Sequence, residues 1–150
     1  MKVDNTGAKT ILYVHNIAGM GGASHSLMLM ARRIRDHGWK PIVAGQQDHE
    51  GVWEQCEKAG IPYYPLYLSD WSRSGMTWHD LLYLPSKLNT IRKLVRICRE
   101  EDVSLVHTNL QSCLEGAFAA RIAGLPHIFH VREQINPTVR KYWGGVRGGV

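Results

Sequence analysis

The sequence predicts an α/β fold: a doubly wound, mainly parallel sheet of at least five strands with helices on both faces. Short apolar runs, each long enough for a buried strand, alternate with longer segments whose apolar residues recur at helical spacing. The links between them are short, which favours parallel strands joined by right-handed crossovers. The first run leads at once into a glycine-rich turn and a helix, the way an open parallel sheet presents its ligand edge.

The first strand is read at 11–14, Ile11-Leu12-Tyr13-Val14, apolar and partly β-branched. In the turn after it, Gly19, Gly21 and Gly22 permit positive φ and let a ligand approach the backbone. Ser24 is expected to cap a helix over 24–37, whose first N–H groups would face the turn and attract an anion, phosphate above all. A plain tight turn is the competing reading, but a single glycine suffices for that. Leu27, Met30, Ala31 and Ile34 give the helix its apolar stripe, Arg32, Arg33 and Arg35 its far side, and Gly38 its stop. A second strand falls at 40–45 around Ile42-Val43-Ala44. Val52, Cys56 and Ala59 form the inward face of a short helix over 51–59, ended by Gly60 and Pro62. A third strand is read over 61–68.

Residues 69–80 read as an irregular connection holding Trp71, Met76 and Trp78. The long helix that follows, to about Glu101, carries Leu84, Leu88, Ile91, Leu94, Val95 and Cys98 on one face. Lys87, Arg92, Lys93, Arg96 and Arg99 spread over the rest. Pro85 belongs in a first turn, so the regular helix is expected to begin near it. A fourth strand at 103–107 is followed by the capping box Ser112-Cys113-Leu114-Glu115, opening a helix that runs to Ala123. A fifth strand is read at 127–131. The domain is therefore expected over 11–136, with 1–10 an irregular lead and 137–150 a tail or truncated hinge.

The chain has 150 residues, 44% hydrophobic and 21% charged, which suits one folded domain and not disorder. A net charge of +5 suits phosphate-bearing substrates or an anionic membrane surface. No nucleic-acid motif accompanies it, so nucleic acid is not an expected partner. Cys56, Cys98 and Cys113 are odd in number and lack Cys-x-x-Cys pairing, so they read as buried thiols in a reducing compartment. Neither a signal-peptide core nor a membrane-spanning run of about 20 apolar residues is visible. A cytoplasmic location is expected, with the inner face of the membrane as its variant. His15, His107 and His130 come from three different strands without ligand spacing, so no metal is expected.

Ligands of such sheets gather beyond the carboxyl ends of the strands, near the point where strand order reverses. That rule selects Gly19 to Ser24, then Thr108 and Asn109 after the fourth strand, then His130 to Glu133 after the fifth. The glycine turn is not a dinucleotide fingerprint, because Ser24 stands where the third glycine belongs. Gly45-Gln46-Gln47 replaces the acid expected after the second strand, and no Gly-Lys-Ser/Thr occurs. A phosphate contact through backbone N–H survives both exclusions. His107 reads as a core histidine. His130 reads either as a strand-end histidine held by backbone or as a functional group. Arg132 and Glu133 read either as a strand-end ion pair or as substrate contacts. A non-catalytic nucleotide- or phosphosugar-binding module stays open as an alternative, and so, more weakly, does a fragment of an NAD-dependent oxidoreductase.

Asn16-x-x-Gly19-x-Gly21-Gly22-Ala23, His107-Thr108-Asn109, Ala119-Ala120-Arg121-Ile122-Ala123-Gly124-Leu125-Pro126 and His130-Val131-Arg132-Glu133 together resemble the amino-terminal half of a GT-B glycosyltransferase. The likeness is to the retaining enzymes of the family-four, or group 1, class, and runs in the family's order over roughly residues 10 to 136. It implies two Rossmann-like domains facing across a cleft, the amino-terminal one binding the acceptor and the other the nucleotide-sugar. It implies no metal and no cofactor, the nucleotide-sugar being the donor substrate. Gly21 and Gly22 would approach the donor diphosphate, and His130 would lie near the reacting sugar as the catalytic residue. Ser24, Thr108, Asn109, Arg132 and Glu133 are the candidate contacts to a sugar or lipid-linked acceptor. The family's paired glutamates belong to the second domain, which this sequence lacks, so the chain alone is expected to be inactive. Trp71, Met76, Trp78, Leu81, Leu82 and Tyr83 beside Lys87, Arg92 and Lys93 admit two further readings. One is a peripheral contact with a bilayer; the other, favoured here, is a solvated charged face beside an acceptor-shaping loop.

Overall fold

A computed structural model of the chain describes residues 8–17, 19–47, 51–69, 78–110 and 113–131. Strands and helices alternate: β1 (Thr10–His15), α1 (Gly22–Asp36), β2 (Lys40–Gly45), α2 (Val52–Lys58), β3 (Tyr63–Pro65), α3 (Trp78–Glu100), β4 (Val103–Thr108), α4 (Glu115–Ala123) and β5 (His127–Phe129). Every pairing is parallel, in the order β3-β2-β1-β4-β5. The chain builds outward from β1 to β3, then returns to β1's other side with β4. The crevice between the carboxyl ends of β1 and β4 is therefore the topological switch point.

β1 is buried along its whole length because it has a helical layer on each face. Leu12 and Val14 pack beneath α3 and α4, whereas Ile11 and Tyr13 pack beneath α1 and α2. Its neighbours repeat the alternation, with Ile42 and Ala44 on the first side and Val43 on the second.

The edge strands are shorter than their apolar runs suggest. β3 stops at Pro65 and β5 at Phe129 because their partners end at Gly45 and Thr108. Leu66 and Leu68 stay buried, as core residues past the paired segment. α3 begins seven residues before Pro85, which stands inside it. Residues 82–86 are all exposed, so the proline interrupts a solvent-facing turn and not a packed one. The packed face of α3 is also turned from the expected one. Lys87 and Thr90 are buried with Ile91, Leu94, Val95, Ile97 and Cys98, while Leu84 and Leu88 lie open at its flank.

Two helix starts differ as well. α1 is capped by Gly21 with no side-chain bond, and Ser24 lies within its first turn. Glu115 opens α4 as its first residue behind Leu114, so the capping box does not form; Ser112 lies outside the described residues.

Candidate functional site

At the switch point glycine supplies the backbone and the neighbouring side chains turn inward. Gly19 and Gly51 both hold positive φ, +77° and +68°, and a Cβ on Gly51 would stand 2.6 Å from Gly19 Cα. The loop after β2 thus braces the loop after β1, main chain against main chain. Gly21 is extended, at φ −85° and ψ −178°, and the His25 N–H closes the first helical bond on its carbonyl at 3.0 Å. The amides just ahead of that bond have no helical partner. A Cβ on Gly21 or Gly22 would meet nothing within 4 Å, so both face open space. An open groove of about 630 Å³ adjoins Gly22 between α1 and α2, walled by Met20, His25, Leu29, Arg32 and Gln55.

Beneath the loop lies a buried polar chain. Asn109 Nδ2 approaches His15 Nδ1 at 3.1 Å and donates to the Ala23 carbonyl at 3.1 Å. His15 Nε2 meets Ser24 Oγ at 3.0 Å. The Ala23 carbonyl can only accept, which fixes the amide so that its second hydrogen goes to His15 Nδ1. His15 is then the Nε2–H tautomer and donates to Ser24. The constellation looks like a Ser-His-Asn triad, but in this tautomer the imidazole cannot take the serine proton. All three side chains are buried, with Ser24 and Asn109 at 0% exposure, and the chain ties the ends of β1 and β4 to the first turn of α1 beneath the loop.

Thr108 is equally enclosed, its Oγ1 lying 2.9 Å from His127 Nε2. Burial pushes the His127 imidazole below its usual range, which keeps it neutral. A Cβ on Gly116 would strike Thr108 Oγ1 and lie 3.2 Å from Val14 Cγ2, so only glycine lets α4 come this close. Ser24, Thr108 and Asn109 were expected as substrate contacts. The structure buries all three side chains, Thr108 and Asn109 at the carboxyl end of the central strand β4 and Ser24 in the first turn of α1.

His130 follows β5 half-buried, and its N–H donates to the Thr108 carbonyl at 2.8 Å. Its ring stacks on His107 at 5.5 Å between centroids, and His107 rests against Tyr13 at 5.2 Å. The row fixes the imidazole at the carboxyl edge of the sheet. Arg132 and Glu133 lie outside the described residues.

A second polar network escaped the sequence reading. Gln46 Nε2 donates to the carbonyls of Asn16, at 3.2 Å, and Leu68, at 2.8 Å. Asn16 Nδ2 reaches the Ser69 carbonyl at 3.5 Å. The buried Glu115 carboxylate accepts the Ser69 N–H at 3.0 Å and also its hydroxyl, while Cys113 Sγ donates to it at 3.4 Å. Register was the available signal: Asn16 and Gln46 are each the first residue past the paired His15 and Gly45. Tyr63 OH donates to the Gln46 carbonyl at 2.8 Å and occupies the space a Cβ on Gly45 would need. That packing explains a glycine where a dinucleotide-binding protein keeps an acid nearby.

All three thiols are buried. Burial pushes Cys56 up to about 12 and Cys98 to about 11, and raises Cys113 well above the usual range with Glu115 adding to the effect. They are protonated packing groups, not nucleophiles. Among the described residues, no group of three or more His, Cys, Asp or Glu side chains could hold a metal ion. No described helix is long and apolar enough to cross a membrane.

The model of the glycosyl transferase 4-like domain matches residues 21–149. The chain belongs to that family. Its fold is that of a GT-B amino-terminal domain, as the solved structures show. MurG of Acinetobacter baumannii superposes with a TM-score of 0.64 at 16% identity, over 89% of this chain and 39% of MurG. A glycosyltransferase of Rickettsia africae gives 0.64 at 17% identity, over 93% of this chain and 34% of that one. The glycosyltransferase VinC, solved in complex with DTDP, gives 0.53 at 16% identity, over 88% and 37%. The chain thus spans between a third and two-fifths of each of these proteins. No curated protein sequence matches it.

Proposed function

We propose that this chain is the acceptor-side domain of a sugar-nucleotide-dependent glycosyltransferase, its donor-binding domain lying outside the present sequence. The observation that carries the reading is the open main chain of Gly21 and Gly22, at the start of α1 and beside the switch point. Glycosyl transfer leaves growing negative charge on the departing diphosphate. Preorganised amides stabilise that charge as it develops, and their positions need no reorganisation at the moment of reaction. The brace from Gly51 and the His15–Asn109–Ser24 chain supply that rigidity. His130 is the candidate catalytic residue, donating to the reacting sugar or orienting the acceptor hydroxyl. Arg132 and Glu133 are candidates for acceptor contact, and the acceptor is a sugar or a lipid-linked sugar. Retention of anomeric configuration and independence from metal follow from the family resemblance alone.

The test is turnover by the complete protein with a panel of sugar nucleotides. His130→Ala is expected to lower kcat about a hundredfold, the usual scale for a lost general acid or base. An unchanged rate retracts its catalytic role. The present chain alone is expected to bind sugar nucleotides weakly in calorimetry. Tight binding by the chain, with no turnover by the complete protein, would identify a binding module instead.

A further inference from the structure

The strand registers line up three aromatic rings on one face of the sheet. Tyr13 of β1 stands opposite His107 of β4, and His107 opposite Ile128 of β5. Side chains alternate along a strand, so His130, two residues past Ile128, falls on the face of His107. Tyr13 packs in the layer of α1 and α2. The row thus runs from the core to the carboxyl edge, with Tyr13 at 2% exposure, His107 at 7% and His130 half-buried.

Each ring limits the next. Tyr13 and His107 lie 5.2 Å apart with their planes tilted by 44°, whereas His107 and His130 lie 5.5 Å apart with their planes within 19°. A near-parallel pair at that separation is an offset stack, an arrangement that aromatic rings prefer. The buried member, His107, is the fixed one, and His130 is the one that reaches the edge.

The main chain of His130 is held separately, by its N–H bond to the Thr108 carbonyl at 2.8 Å. That bond leaves the side-chain torsions unset, and the second torsion of a histidine is broad and twofold. The face of His107 sets them, because it accepts the His130 ring only near parallel. A stacked imidazole also keeps both of its nitrogens on the rim, clear of the contact. Such orientation matters to rate, since a reacting group misplaced by about 1 Å can cost about a hundredfold.

We propose that His107 is a positioning residue for His130, acting through the flat face of its ring. This deepens the transferase reading and rests on His130 as its catalytic group. The experiment is a double-mutant cycle in the complete protein, at a temperature where circular dichroism shows every variant folded. His107→Leu, close in volume but without a flat face, is expected to lower kcat about tenfold and to change KM for the sugar nucleotide less than about twofold. His107→Met takes its place if the leucine variant does not fold. His107→Phe restores the face and is expected to bring kcat back to within about threefold of the parent. In the His130→Ala background His107→Leu should lower kcat no further, because its effect runs through the missing ring. A second readout needs no turnover. With isotope-labelled histidine, the His130 Cε1–H resonance is identified by its loss in His130→Ala. It should move toward the position of a free imidazole in His107→Leu and stay displaced from it in His107→Phe. A further tenfold loss in the His130→Ala background, a phenylalanine variant as slow as the leucine one, or a resonance unmoved in His107→Leu overturns the proposal. Absence of turnover by the parent protein strikes the transferase reading instead, and the resonance still decides whether His107 holds the ring.

Discussion

The carboxyl ends of β1 and β4 lie side by side and are built in opposite ways. After β1 the chain is glycine, exposed at Gly21 and Gly22, with no side chain between the main chain and solvent. At the end of β4 stand Thr108 and, just past it, Asn109, both fully buried and bonded to groups from other elements. The second region explains how the first is possible. A glycine loop has high conformational entropy unless its surroundings hold it, and here the holding groups approach from below and from the side. A ligand edge of this kind offers main chain outward only because neighbouring side chains are turned inward.

The contrast breaks most readily at Asn109. Asn109→Leu takes this donor from the buried His15 Nδ1 and the partly buried Ala23 carbonyl, and is expected to destabilise the fold by about 2–4 kcal/mol. Urea unfolding measures it, and a change below about 1 kcal/mol would deny the chain its bracing role. Next comes Gly51→Ala, which combines positive φ with a collision against the Gly19 backbone. A loss of about 1–3 kcal/mol is expected by the same measurement.

Acid acts on the β4 side through His127. Its folded-state pKa lies below the ordinary 6.5, so the unfolded chain takes up the proton first as pH falls. The His127 contribution is therefore absent above that value and turns destabilising below it. Unfolding midpoints followed from neutral to mildly acidic pH should show the decline, and His127→Gln should flatten it. The smallest stability effect belongs to Gly21→Ala, with extended backbone and empty space around the new methyl group. A change within about 0.5 kcal/mol is expected in urea, together with slower turnover of the complete protein. A large stability loss there would mean that Gly21 serves the fold as Gly51 does.

The central strands and the glycine loop were legible in the sequence because each is written locally. A strand covered on both faces is a run of apolar residues, and an open turn is a run of glycines. Edge strands were less so, since Leu66 and Leu68 are as apolar as any paired residue yet belong to the core beyond the ladder. Ser24 carries the right side chain for a cap and Glu115 the right spacing for a capping box. Tertiary partners claim both, His15 in one case and Ser69 in the other. His15 and Asn109 meet across 94 residues, and no local pattern encodes such a meeting.

The three thiols are distributed unevenly: Cys56, on α2, packs in the layer of α1 and α2, and Cys98 and Cys113 pack on the opposite side of the sheet. Each becomes reactive only when its own layer opens. Alkylation rates resolved by mass spectrometry would therefore read the breathing of the two layers separately, using reporters the chain already carries.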